Sequence, residues 1–214
     1  MNVTIIGSGN MARSIGTRVL ASGNNVTIVG RNPEKVGELV GQLQIKAKVG
    51  TKVDSAAYGS AIGNEVVVLA VPYPADVSII KEYGAKLTGK ILVSINTPLN
   101  ATYDGLATPA DTSAAEEEAK AAPVGTKVVK AFNTNFAAPL AAGQVAGQPL
   151  DVFIAGDDMG AKSVIVKIIV AGGLRPLDVG PLKRSRQLEG LHLINIVLQS
   201  AMDKPWMNAI KSLN

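Results

Sequence analysis

The sequence predicts an α/β fold built on a doubly wound parallel sheet. Three observations predict it. Short β-branched runs alternate with helical stretches of roughly 10–15 residues, the pattern of repeated strand–helix–strand units. The run Glu65–Val71 (EVVVLAV) is apolar throughout, as expected of a strand covered on both faces. A glycine-rich turn, Gly7-Ser8-Gly9, joins the first strand signal to the first helix signal.

The elements follow in order. Asn2–Gly7 reads as a strand ended by glycine, and Asn10–Ala21 as a helix with Met11, Ile15, Val19 and Leu20 at helical spacing. Val26–Val29 is the second strand. Pro33 opens a helix through Leu43, since proline suits a first turn. Ile45–Val53 alternates weakly, as a short strand could, and Asp54 is placed to cap a helix to about Ile62. Glu65–Val71 is a strand, Ala75–Leu87 a helix, Lys90–Ile95 a strand, Thr112–Ala121 a helix and Lys127–Phe132 a strand. Ala137–Leu150, rich in Ala, Gly and Pro, reads as a loop with at most one helical turn. Asp151–Ala155, Met159–Ala171 and Leu174–Val179 read as strand, helix and strand. Leu182–Met202 is the longest predicted helix. It is apolar almost all round from Leu191, which points to burial between elements or subunits. The expected division is residues 1–135, a dinucleotide-binding domain, and 136–214, a small C-terminal lobe completing the acceptor cleft.

Composition narrows the function. The 214 residues contain no Cys and one His, so a thiolate metal site, a Cys nucleophile and an all-His metal centre are excluded. No metal site is expected. The net charge of +4 is spread along the chain rather than concentrated in a stripe, which favours an anionic small ligand over nucleic acid. No apolar stretch approaches the roughly 20 residues that span a bilayer, and the start resembles no signal segment, so a soluble cytoplasmic protein is expected.

Gly7-Ser8-Gly9-Asn10-Met11-Ala12 is a GxGxxA turn between strand and helix. Gly7 permits the tight turn, Gly9 lets the backbone approach a pyrophosphate, and Ala12 is small enough for helix–strand packing. The helix N-terminus offers free N–H groups to phosphates. The second strand ends Val29-Gly30-Arg31-Asn32, with no carboxylate to accept from a ribose 2′-hydroxyl. Arg31, with Lys35 one turn on, suits a 2′-phosphate instead, so NADP(H) is expected over NAD(H).

Ligands of doubly wound sheets sit at the carboxyl ends of strands. That singles out Val71, Pro72 and Tyr73, then Asn96 and Thr97, then Asn133 and Thr134. Val71 and Pro72 would wall the nicotinamide. The amides and hydroxyls would donate to its carboxamide or to a second substrate, or else fill ordinary turn roles. Lys183, Arg184 and Arg186 read as a solvated helix start or a site for an anionic tail. His192 between leucines reads as structural. No side chain is assigned a catalytic role.

Taken together, these motifs resemble the NADP oxidoreductases that use the deazaflavin coenzyme F420, over nearly the whole chain. The likeness is carried by Gly7 to Met11, Gly30-Arg31 with Lys35, Val71-Pro72-Tyr73, and Gly156-Asp157-Asp158. Most specific is Gly173-Leu174-Arg175-Pro176-Leu177-Asp178-Val179-Gly180-Pro181-Leu182 with Ser185-Arg186. The resemblance implies a Rossmann-type domain with a small second lobe, NADP(H) in the N-terminal cleft, a deazaflavin or flavin-like ring stacked on the nicotinamide, and a homodimer. Two departures stand out. Asn32 replaces a basic residue, and the segment at Asn133-Thr134 is short where the family has a longer one, as in shorter bacterial members. A flavin, a quinone or another small molecule is therefore an alternative acceptor. Hydride transfer between stacked rings needs orientation more than a general acid. The alternatives are an imine reductase akin to pyrroline-carboxylate reductases and an NADPH-binding sensor without turnover. No Tyr-x-x-x-Lys pair exists: the residues four beyond Tyr58, Tyr73, Tyr83 and Tyr103 are Ile62, Val77, Leu87 and Ala107.

Overall fold

The computed structural model describes residues 1–203 and 205–213. Strands β1 (Asn2–Ile6), β2 (Asn25–Val29), β3 (Val53–Ala56), β4 (Val66–Leu69), β5 (Ile91–Ser94) and β6 (Lys127–Lys130) all run parallel. They are ordered β3-β2-β1-β4-β5-β6, the doubly wound arrangement whose order reverses beside β1. Helices α1 (Asn10–Ala21), α2 (Pro33–Gln44), α3 (Ala75–Tyr83) and α4 (Ala114–Ala121) connect them.

Alternate strand residues feed two cores, because side chains of a strand point to opposite faces. Val66 and Val68 join the core under α1 and α2, whereas Val67 and Leu69 join the core under α3 and α4. All four residues of β4 and of β5 are buried, which explains their unbroken apolar character.

The sheet continues past β6. α5 (Ala137–Ala142) and the hairpin β7 (Gln144–Val145) and β8 (Gln148–Pro149) lead into β9 (Asp151–Gly156), α6 (Met159–Ala171) and β10 (Arg175–Asp178). β9 pairs antiparallel with β6, and β10 parallel with β9, giving one eight-stranded sheet. The sheet therefore crosses the division expected after Asn135. α7 (Ser185–Val197) then packs against α4, with short 3-10 turns at Leu182–Arg184 and Leu198–Ala201.

Three local expectations are corrected. Asp54 caps no helix: Val53–Ala56 pairs with β2 as an edge strand, where polar Asp54 and Ser55 remain exposed. The segment offers no apolar face at helical spacing, and Gly59 with φ +77° turns the chain. Ala137–Leu150 is more ordered than a loop. α5 closes on Gly143 in the left-handed region, and Ala146-Gly147, both at positive φ, turn the hairpin. The long C-terminal helix is α-helical only over Ser185–Val197.

α7 is also inside out. Its buried residues are Ser185, Leu188, Glu189, His192 and Asn195, whereas Ile194 and Val197 are exposed. The expectation of all-round burial is not met within one chain.

Candidate functional site

The carboxyl ends of β1, β4 and β5 open into a cleft of about 610 Å³. Gly7 builds its floor. Its φ is +130°, and a Cβ there would stand 2.0 Å from the Ala70 carbonyl oxygen, so only glycine fits. Gly7 N–H donates to Val29 O at 2.8 Å, and Ala70 N–H to Ile6 O at 2.8 Å, which locks the turn across three strands.

Gly9 is the N-cap of α1, extended, with no side chain to cap the helix and no acidic residue in the first turn. A Cβ on Gly9 would meet nothing, so the space above it is open. The first amides of α1 are thus left for a ligand, and the helix end attracts an anion. This cradle fits a pyrophosphate. Gly7, Ser8, Gly9, Asn10 and Met11 all line the cleft.

Arg31 and Asn32 line its far end. Arg31 Nη2 donates to Tyr58 Oη at 3.3 Å, Tyr58 Oη donates to Glu82 Oε2 at 2.6 Å, and Arg31 lies 3.6 Å from Glu82. The guanidinium also covers the Tyr58 ring, 5.2 Å from its centroid. Asn32 serves as the α2 cap, accepting from Lys35 N–H at 3.1 Å. Lys35 lines an adjoining recess of about 250 Å³ with Ser8, Gly9, Asn10 and Arg13. Cations thus flank the glycine turn.

Val71, Pro72 and Asn96 line the other end of the cleft, near Ile79 and Ile95. Asn96 Nδ2 donates to Asp76 Oδ2 at 2.9 Å and Glu118 Oε1 at 3.3 Å. Its amide hydrogens are therefore engaged, and Asn96 can offer the cleft only its carbonyl oxygen. Tyr73, Thr97, Asn133 and Thr134 stand outside this lining. Tyr73 Oη donates to Glu117 Oε2 at 3.2 Å, and burial with the Glu117 charge pushes the phenol up to about 12. Asn133 Nδ2 donates to Thr97 Oγ1 at 3.3 Å and Leu188 O at 3.1 Å, tying the segment after β6 to α7. Thr134 is buried beside it.

The basic helix start divides. Arg186 forms a two-pronged bond with Glu116 at 2.8 and 2.6 Å, while Lys183 and Arg184 are exposed. His192 is buried 5.1 Å from the Phe136 ring, and burial, with the Lys130 charge, lowers it to about 4. It is neutral at physiological pH. No cluster of three or more His, Cys, Asp or Glu placed to hold a metal ion occurs among the described residues. No helix among them is long and apolar enough to cross a membrane.

Sequence reasoning missed Tyr58 and the charged cluster behind Asn96. Tyr58 lies two residues beyond the end of β3, in a segment that reads as a helix in the sequence. Lys130, Glu118, Asp76 and Glu189 each resemble surface residues in sequence, and only the fold brings them together.

A family model described as NADP oxidoreductase coenzyme F420-dependent matches residues 2–98. The chain is 32% identical over 204 residues to an F420-dependent NADP reductase of Methanocaldococcus jannaschii, covering 89% of each protein. The chain belongs to the F420-dependent NADP oxidoreductase family. Membership makes it an NADP-linked oxidoreductase. Rat metalloreductase STEAP3 is 33% identical over 191 residues, and there the chain spans 36% of the relative's length. The crystal structure of a candidate F420-dependent NADP-reductase from Arthrobacter sp. FB24 superposes with a TM-score of 0.83 at 26% identity, covering 100% of both chains. An imine reductase of Streptomyces aurantiacus, at 18% identity and a TM-score of 0.61, shares the fold.

Proposed function

We propose that the chain transfers hydride between NADPH and a deazaflavin or flavin-like acceptor. The uncapped amide end of α1 beside Arg31 and Lys35 carries this reading, because it offers a pyrophosphate cradle and a phosphate-binding cation in one cleft. The nicotinamide supplies the hydride. The chain binds and orients: Gly7 to Met11 hold the pyrophosphate, Arg31 and Lys35 the 2′-phosphate with Asn32 fixing their helix, and Val71 and Pro72 exclude water from the ring. Asn96 accepts from the carboxamide. Tyr73, Thr97, Asn133 and Thr134 border the acceptor side. Residues 1–135 supply the cofactor half, and residues 136–214 complete the acceptor side through α7.

The coenzyme F420 dependence of the relatives supports the deazaflavin among acceptors. The test follows NADPH oxidation with deazaflavin, FMN, FAD or a quinone in parallel. Turnover with the deazaflavin, much slower with NADH, is expected. NADPH binding without turnover on any acceptor would replace this reading with that of a sensor.

We also infer that two copies pair through α7. Residues 190–202 carry no charged side chain, and Ile194, Val197 and Leu198 are 60%, 53% and 45% exposed. An uncharged apolar face can meet its own copy about a two-fold axis without opposing like charges. Sedimentation should give a dimer for the wild type and a monomer for Val197→Glu.

A further inference from the structure

Behind Asn96 lies a fully buried charged cluster. Asp76 of α3, Glu118 of α4, Lys130 of β6 and Glu189 of α7 are each 0% exposed. Lys130 Nζ pairs with Glu189 Oε1 at 2.6 Å and also donates to the backbone carbonyl of Asn96. The other Glu189 oxygen accepts from Ala114 N–H at 3.1 Å. Lys130 and Glu189 thus neutralise each other.

Asp76 and Glu118 have no such cation of their own. Their carboxyl groups converge on the single Asn96 amide nitrogen, at 2.9 and 3.3 Å. Two carboxylates this close in a dry interior share one proton rather than both ionising. Asp76 accepts from Val77 N–H at 2.8 Å in the first turn of α3, where a helix end favours its charge. Burial pushes Glu118 up to about 8, with Lys130 opposing and Asp76 adding to the rise. The pair therefore keeps one negative charge at neutral pH, against the wall that Asn96 gives the cleft.

We propose that this buried charge favours the cationic nicotinamide ring of NADP+ over the neutral ring of NADPH, and so drives hydride out of the bound cofactor. The inference rests on the cofactor reading above. When hydride leaves, two electrons and one proton pass together to the deazaflavin or flavin-like acceptor, which draws any further proton from solvent. The ring gains one positive charge and the cluster is unchanged. The nucleotide phosphates are common to both forms, so their repulsion cancels from the comparison. The other groups around the cluster are Tyr73 hydrogen-bonded to Glu117, neutral His192, and Arg186 paired with Glu116.

Equilibrium dissociation constants for NADP+ and NADPH provide the test, measured by calorimetry at pH 7 and pH 9. The proteins are the wild type, Glu118→Gln, and Asp76→Asn with Glu118→Gln. In the double variant the ratio Kd(NADP+)/Kd(NADPH) should rise about tenfold at pH 7, a conservative value for one charge across a protein interior. Glu118→Gln alone should leave the pH 7 ratio in place, because it removes one carboxyl together with the shared proton and so leaves the charge of the pair unchanged. Between pH 7 and pH 9 the wild-type ratio should fall as Glu118 ionises, and that of Glu118→Gln should stay flat. A folded double variant with the wild-type ratio overturns the proposal. Should the double variant not fold, identical pH behaviour of wild type and Glu118→Gln overturns it. A wild type that binds neither nucleotide overturns the cofactor reading as well, whereas tight binding of both with an unmoved ratio overturns this inference alone.

Discussion

The guanidinium of Arg31 rests over the ring of Tyr58, 5.2 Å from its centroid. Arg31 is otherwise exposed, and its other contacts are Tyr58 Oη at 3.3 Å and Glu82 at 3.6 Å. The ring and the carboxylate hold this long side chain beside the cleft. Arg31→Ala should weaken NADPH by about 1–3 kcal/mol, the range for a charge-assisted pair, and leave NADH unchanged. Tyr58→Ala should cost about 0.5–1 kcal/mol of the same preference by removing the stacking surface, and Tyr58→Phe less. Titrations with both nucleotides measure this directly. Equal losses for NADPH and NADH would remove Arg31 from the 2′-phosphate site.

The two glycines of the turn should fail differently. Gly7→Ala drives a Cβ to 2.0 Å from the Ala70 carbonyl at φ +130°, so thermal stability and binding should drop together. Gly9→Ala enters open space but puts a poorer residue at the N-cap, so it should cost about 0.5–1 kcal/mol. Its methyl would occupy the pyrophosphate cradle, so nucleotide affinity should fall while the melting temperature drops by no more than about 4 °C. A Gly9→Ala protein that binds NADPH normally would mean that the nucleotide does not lie on α1.

Lys130 and Glu189 test the interior. Lys130→Met strands a buried carboxylate and should destabilise the fold by about 3–5 kcal/mol. Adding Glu189→Leu should recover much of the loss, because it removes the orphaned charge. Urea unfolding of the two variants reads both numbers, and a Lys130→Met protein of wild-type stability would contradict the pairing.

His192 carries a pH dependence whose sign is fixed. Burial, with the Lys130 charge, lowers it to about 4, below an unfolded value of 6.5. Below pH 6.5 the unfolded chain binds a proton that the folded chain refuses, so folding loses stability as pH falls. Relative to His192→Phe, the wild type should lose about 1.5 kcal/mol between pH 6.5 and pH 5. The comparison of the two proteins removes contributions from carboxyl groups. A constant gap across this range would show that His192 titrates normally.

The strand–helix alternation and the glycine turn were legible because they are local. GxGxxA needs only neighbours in sequence, and the run from Glu65 to Val71 reports its own burial. Asp54 misled because capping propensity and an exposed edge strand ask for the same polar residue. α7 misled in a different way. Its leucines and isoleucines suggested burial, yet the fold already supplies polar partners, such as Lys130, to the opposite stripe. The cluster behind Asn96 could not be read at all. Its members come from four separate elements, and a buried lysine looks like a surface lysine until its neighbours are placed.

The antiparallel join of β9 to β6 bears on modularity. Lys130 and Val129 pair with Ala155 and Gly156, and the Lys130 ammonium finds its counter-ion on α7. A fragment ending at residue 135 would expose a raw sheet edge and leave a lysine ammonium buried without its acid. Residues 1–135, the proposed nucleotide half, share a continuous sheet and a buried ion pair with the rest of the chain. Grafting that half onto another scaffold requires a substitute strand along β6 and an anion for Lys130, and chimeras cut after Val179 lack the second of these.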